Sequence, residues 1–172
     1  MTPRVLLLSL RPRFADAILS GTKTVELRRR PVNAGPGTQV ILYSSSPVTA
    51  VVGTARLSGV TVSDPETAWS KHQHFLGLTK EEYDDYLDGS VNAYLLHLTQ
   101  VCTLNEPLHL HQLRQDGAFY PPQSFRYIAS SDPLPLRKLV GADPERLSPE
   151  TGSAANGHLP PAVREGLPNW PH

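Results

Sequence analysis

The chain has 172 residues, 39% of them hydrophobic and 7% aromatic, with 16 Lys/Arg balanced by 16 Asp/Glu. That is enough for one domain of about 100 to 150 residues, and no apolar run approaches the roughly 18 residues of a membrane span. The single Cys102 excludes an intramolecular disulfide and reads as a small buried thiol, while the interrupted apolar stretch in MTPRVLLLSLRP is no export signal, so a reducing, cytoplasmic location is expected.

In chain order, RVLLLSLR at 4–11 is a short apolar run stopped by Pro12, as in a buried strand. PRFADAILSG follows with Phe14, Ala17 and Ile18 on one helical face, Pro12 suited to the first turn and Gly21 to the C-cap. In TKTVELRRR the period is two: Val25 and Leu27 fall on one side, Glu26 and Arg28 on the other, and Lys23 sits at the turn before the strand. VNAGPGT is a loop, and VILYSSSP and VTAVVGTARLSGVTV are further strands. Two helices are predicted at 65–75 and 79–89, the second opened by a capping box of Thr79 and Glu82 and stopped by Gly89. SVNAYLLHLTQVCTL is a long strand, EPLHLHQL a further strand begun by Pro107, and PPQSFRYI a closing turn or single helical turn. From Ala129 onward Pro, Ser, Gly and Ala dominate without periodicity, which predicts a disordered tail. Short strands with few helices suggest a small open or closed barrel with helices at its ends.

The zero net charge hides a local excess. Residues 1–46 carry seven Lys/Arg against two Asp/Glu, whereas residues 47–128 carry five against nine. Much of the basic charge falls in one stretch, GTKTVELRRR at 21–30. Segregated basic charge of this kind is the footprint of a surface that meets phosphate. Lys23 supplies a compact cation, and Arg28 a planar fork that takes phosphate bidentately. Glu26 can hold either cation or accept from a base amine; the plain alternative is a salt-bridged strand face. If Glu26 and Arg28 share a sheet face with Tyr43 and with Ser44 and Ser45 on a neighbouring strand, they form a polar groove of fixed geometry. Tyr43 and Tyr120 are the candidate stacking residues, while Trp69, Phe75 and Tyr86 read as packing. His109 and His111 would share a face if both lay on a strand, but no further ligands complete a set, and neither a metal nor a cofactor is expected. No phosphate-binding glycine loop and no G-x-S-x-G elbow occurs.

Taken together, SLRPRFADAILSGTKTVELRRR, ILYSSSP, VVGTARL and PPQSFRYI resemble the ASCH family of the PUA-like superfamily, whose core pattern G-x-K-x-x-E-x-R is met by Gly21, Lys23, Glu26 and Arg28. The resemblance, which covers about residues 4–128, implies an α+β fold: a PUA-like small β-barrel of five to six mixed strands with flanking short helices over residues 1–128, to which the composition adds the disordered Pro/Ser/Gly-rich tail at 129–172. It also implies a cleft for RNA or another nucleic acid, lined here by Ser9, Arg11, Lys23, Glu26, Arg28, Tyr43, Ser44, Ser45, Gln123 and Ser124. The resulting expectation is a nucleic-acid-binding module for single-stranded RNA or modified bases, acting in RNA metabolism or in transcription or translation control.

Enzymatic relatives supply the alternative. One ASCH branch hydrolyses acetylated cytidine with a lysine-activated threonine; Lys23 matches the lysine, but Glu26 stands at the nucleophile position, which argues against that amidohydrolase. A ribonuclease would use Lys23, Tyr43 and Glu26 as cation, phenol and base. Protein partners are expected, if any, on the acidic helix at 79–89 or on the tail.

Overall fold

The computed structural model describes residues 4–142. Six strands are present: β1 (Val5–Leu10), β2 (Val25–Arg28), β3 (Gln39–Ser44), β4 (Ala50–Ser63), β5 (Ala93–His109) and β6 (Phe125–Tyr127). The helices are α1 (Pro12–Ser20), α2 (Pro65–Leu76), α3 (Lys80–Leu87) and the single turns α4 (Leu110–Leu113) and α5 (Leu134–Arg137). The strands form one curled, half-barrel sheet in the order β2-β5-β4-β3-β1-β6, parallel only between β1 and β3.

Strand β1 is apolar except at Ser9 because both of its faces are covered. Leu6, Leu8 and Leu10 point into the main core with Ile18 of α1, Val40, Leu42, Leu57 and Leu96. Val5 and Leu7 point the other way, against Ile41, Tyr43, Val51, Leu113, Phe119 and Leu136. Helix α1 starts at Pro12 and ends at Gly21, whose φ of 82° is the left-handed conformation that glycine adopts without strain. Strand β2 divides as its period requires: Val25 and Leu27 pack outward on Ala68 and Leu76 of α2 and Tyr83 and Leu87 of α3, leaving Glu26 and Arg28 to the other face. Register shifts along β4 and its partners let these long strands bend with the curl.

Four expectations are corrected. Strands β2 and β3 are not neighbours, because β5 and β4 lie between them; Glu26 and Tyr43 line one cleft within the curl instead. EPLHLHQL is not a separate strand: β5 runs on through His109, after which the chain turns into α4. PPQSFRYI is not a closing turn, since Phe125–Tyr127 is a strand antiparallel to β1. Finally, folded structure continues past residue 128. Leu136 is fully buried over Val5, Leu7 and Ile41, with Leu139 and Val140 beside it. The Gln39 side-chain amide donates to the Leu139 carbonyl at 2.7 Å and accepts from the Gly141 N–H at 2.8 Å. The second apolar face of β1 and β3 needs this cover. Residues 143–172 of the expected tail lie outside the described residues.

Candidate functional site

The turn from α1 into β2 places Lys23 beneath the C-terminal end of α2. The Lys23 ammonium donates to the carbonyl of Leu76, one of the acceptors that the end of a helix leaves unpaired, where the helix dipole also favours a cation. Gly77, with φ of 65°, turns the chain away, and the Lys23 methylenes lie 3.5–3.7 Å from where a Cβ on Gly77 would stand. Lys23 Nζ also reaches Glu26 Oε2 at 3.2 Å, and Glu26 Oε1 accepts from Arg28 Nη2 at 2.9 Å. All three side chains are buried, at 2%, 7% and 6% residue exposure. Two cations around one carboxylate leave this buried group with a net positive charge.

Arg28 carries the arrangement across the curl. Its Nη1 donates to Ser124 Oγ at 2.9 Å and to the Ser124 carbonyl at 3.2 Å, and its Nη2 to the Ser9 carbonyl at 3.0 Å. Arg28 Nε and Ser9 Oγ are buried without a protein partner. A buried donor left unpaired costs about 1–3 kcal/mol, and both residues line a cleft of about 930 Å³.

Nine of the expected residues line this cleft: Ser9, Arg11, Lys23, Glu26, Arg28, Tyr43, Ser45, Gln123 and Ser124. Ser44 does not. One position along β3 from Tyr43, it has the opposite parity and is 1% exposed, its hydroxyl without a protein partner. Tyr120 is 75% exposed and outside the lining. Tyr43 combines two roles: it belongs to the second core cluster and also lines the cleft, and burial pushes its phenol up from the ordinary value, with Arg114 pulling weakly the other way. His109 ends β5 and His111 lies in α4, their rings stacked 5.7 Å apart; no group of three or more His, Cys, Asp or Glu arranged to hold a metal occurs among the described residues.

The sequence reading missed one wall. Glu82, Asp85 and Tyr86 of α3 line the cleft, about a third of a turn round the helix from the buried Tyr83 and Leu87. Spacing of three and four residues was the available signal. Tyr86 is 39% exposed, and burial is the main influence pushing its phenol up, with Arg28 and Glu26 acting on it in opposite senses. Phe14 and Arg13 of α1 complete this side, with the Arg13 guanidinium 4.4 Å over the Phe14 ring and paired to Glu82 at 2.5 Å. The acidic helix therefore faces the cleft with part of its charge already neutralised.

Residues 8–102 match the ASCH domain family. The chain belongs to the ASCH family. It is 35% identical over 136 residues to an ASCH domain-containing ribonuclease of Zymomonas mobilis, a match covering 77% of this chain and 90% of that protein. The crystal structure of ASCH from Zymomonas mobilis superposes with a TM-score of 0.71 at 33% identity, over 78% of this chain and 94% of that one. A serine-to-alanine variant of the same protein superposes with a TM-score of 0.73 at 32% identity, over 80% and 97% of the two chains. Among the described residues of this ASCH protein, no helix is long and apolar enough to cross a membrane.

Proposed function

We propose that this ASCH protein binds single-stranded RNA in the cleft and cleaves it. The observation that carries the reading is the buried, net-cationic Lys23–Glu26–Arg28 group at the cleft, with Arg28 Nε unpaired. Phosphate is the ligand class that such a site suits, because a guanidinium already held in place loses little entropy on accepting an oxyanion. Arg28 and Lys23 balance the charge that builds on the phosphoryl oxygens when a ribose 2′-hydroxyl, giving up its proton to water, attacks the adjacent phosphodiester and the bond to the 5′-oxygen breaks. Tyr43 lines the cleft with its phenol protonated at neutral pH, as an ordinary tyrosine is, and can donate that proton to the leaving 5′-oxygen, although burial pushes it up and makes it a weaker acid. Tyr86 offers an aromatic face for an unstacked base, and Gln123 an amide for its edge.

Glu26 takes a different part from that of a general base. Both carboxylate oxygens are engaged, one by Lys23 and one by Arg28, so Glu26 fixes the two cations. The same engagement disfavours acyl transfer through Glu26. The name of the 35%-identical relative supports the ribonuclease reading.

The test is incubation of purified protein with end-labelled single-stranded RNA, alongside Tyr43→Phe and Arg28→Met. Cleavage by the wild type that falls at least about a hundredfold in Tyr43→Phe is expected, the scale of a missing general acid. Salt-sensitive binding without products would leave a binding module only. Neither binding nor products would remove RNA altogether.

A further inference from the structure

A second hollow of about 540 Å³ adjoins the cleft and is lined by Arg29, Arg30, Ser90, Asn92 and Tyr94, with Gly89 and Val91 in the loop between. Arg29 and Arg30 line both spaces, so the two adjoin at the end of β2. Strand pairing sets Tyr94 directly opposite Arg28, which puts the two residues on the same sheet face. Arg29 is held in place by donating to Ser90 Oγ at 3.1 Å and to the Asp88 carbonyl at 2.9 Å, both neutral acceptors. Arg30 is exposed and makes no ion pair among the described residues. No acidic side chain lines this hollow. The cleft, by contrast, has Glu26, Glu82 and Asp85 in its wall.

We propose that this hollow is a second nucleotide subsite, which takes the strand where it leaves the cleft. The inference rests on the reading of the cleft as an RNA site and adds a substrate class: single strands long enough to occupy both spaces. Arg30 meets a phosphate, for which it has no competing partner, and Arg29 adds a second positive charge. The Tyr94 ring offers a stacking surface, and the Asn92 amide both a donor and an acceptor for a base edge. Two adjoining spaces with cations at their junction suit a continuous polyanion; a free mononucleotide would fill only one of them.

Fluorescence anisotropy with 2′-O-methyl oligouridylates, a dimer and an octamer, separates binding from turnover because the attacking hydroxyl is blocked. For the wild type, the octamer binds more tightly, and its affinity falls more steeply with salt, by about 0.7 in log–log slope for each further phosphate neutralised. Arg30→Ala and Asn92→Glu, both at exposed positions, lower the octamer-to-dimer affinity ratio about fivefold or more, the scale of removing one phosphate-binding cation or introducing one repulsive charge. A ratio that stays at the wild-type value in both variants overturns the subsite, even where cleavage of labelled RNA persists and the cleft reading stands. A wild type that neither binds these oligomers nor cleaves RNA overturns both.

Discussion

The guanidinium of Arg28 grips both oxygens of Ser124, 96 positions later in the chain, at 2.9 Å and 3.2 Å. Arg28 ends β2, one edge of the sheet, and Ser124 immediately precedes β6, the other edge. Backbone pairing leaves the half-barrel open at this seam, and one side chain reaches across it. The residue that faces the cleft is thus also a clasp between its two walls.

Charge counting gives an order of stability among variants of the buried trio. Lys23→Met or Arg28→Met leaves Glu26 with one cation, a neutral pair, and should cost roughly 1–3 kcal/mol for the hydrogen bonds removed. Glu26→Gln leaves two buried cations with no counter-charge and should cost more, about 3–5 kcal/mol. Urea denaturation of the three variants checks the order. Equal midpoints would mean that water reaches the trio freely.

Gly53 leaves no room for a side chain between β5 and α1. A Cβ built there would stand 2.6 Å from the carbonyl oxygen of Cys102 on the paired strand and 2.6 Å from Cδ2 of Leu19 on α1. The leucine tip can turn away, but the strand backbone cannot without breaking the pairing. Gly53→Ala should therefore destabilise by at least about 1–3 kcal/mol, the cost of overpacking. A thermal melt superimposable on the wild type would show that β4 and β5 can separate locally at no cost.

Asp132 pins the last described segment to the sheet. Its carboxylate takes both Nη groups of Arg126, at 2.8 Å and 2.6 Å, and the Ala129 N–H at 2.7 Å, while its carbonyl accepts from Arg137 Nε at 2.8 Å. Asp132→Ala should release α5 and uncover Val5, Leu7 and Ile41. Amide hydrogen exchange at 134–142 should speed up by at least about tenfold, with β4 and β5 unchanged. Unchanged exchange at 134–142 would mean that Leu136 alone holds the segment.

What the sequence revealed and what it hid divide by range. Glu26 and Arg28 could be placed together, and Val25 and Leu27 opposite them, because a strand alternates locally. Thr79 and Glu82 form the capping box that their spacing announces. The pairing of β2 with β5 was hidden, because partner choice in a sheet depends on residues far apart in sequence. Tyr86 was hidden for a related reason: its helix has two usable faces, and only the position of β2 decides which one looks into the cleft. Helix α5 escaped notice because Pro133 and Pro135 resemble loop punctuation, whereas the apolar face it covers lies on β1 and β3, near the other end of the chain.

His97 makes stability depend on pH in a stated direction. Its ring lies 5.3 Å from that of His72 on α2, and its Nε2 is 2.8 Å from Thr61 Oγ1 on β4. Burial holds the His97 pKa below its ordinary value, and the neighbouring His72 adds to this. The unfolded chain, with a histidine near 6.5, therefore takes up the proton more readily than the folded one, so this contribution is present above about pH 6.5 and is lost as pH falls below it. The urea midpoint should drop between about pH 7 and about pH 5.5, and His97→Gln, which keeps a partner for Thr61, should flatten that part of the profile. A His97→Gln profile parallel to the wild type would assign the acid sensitivity elsewhere, to the other histidines or to the carboxylates of α3.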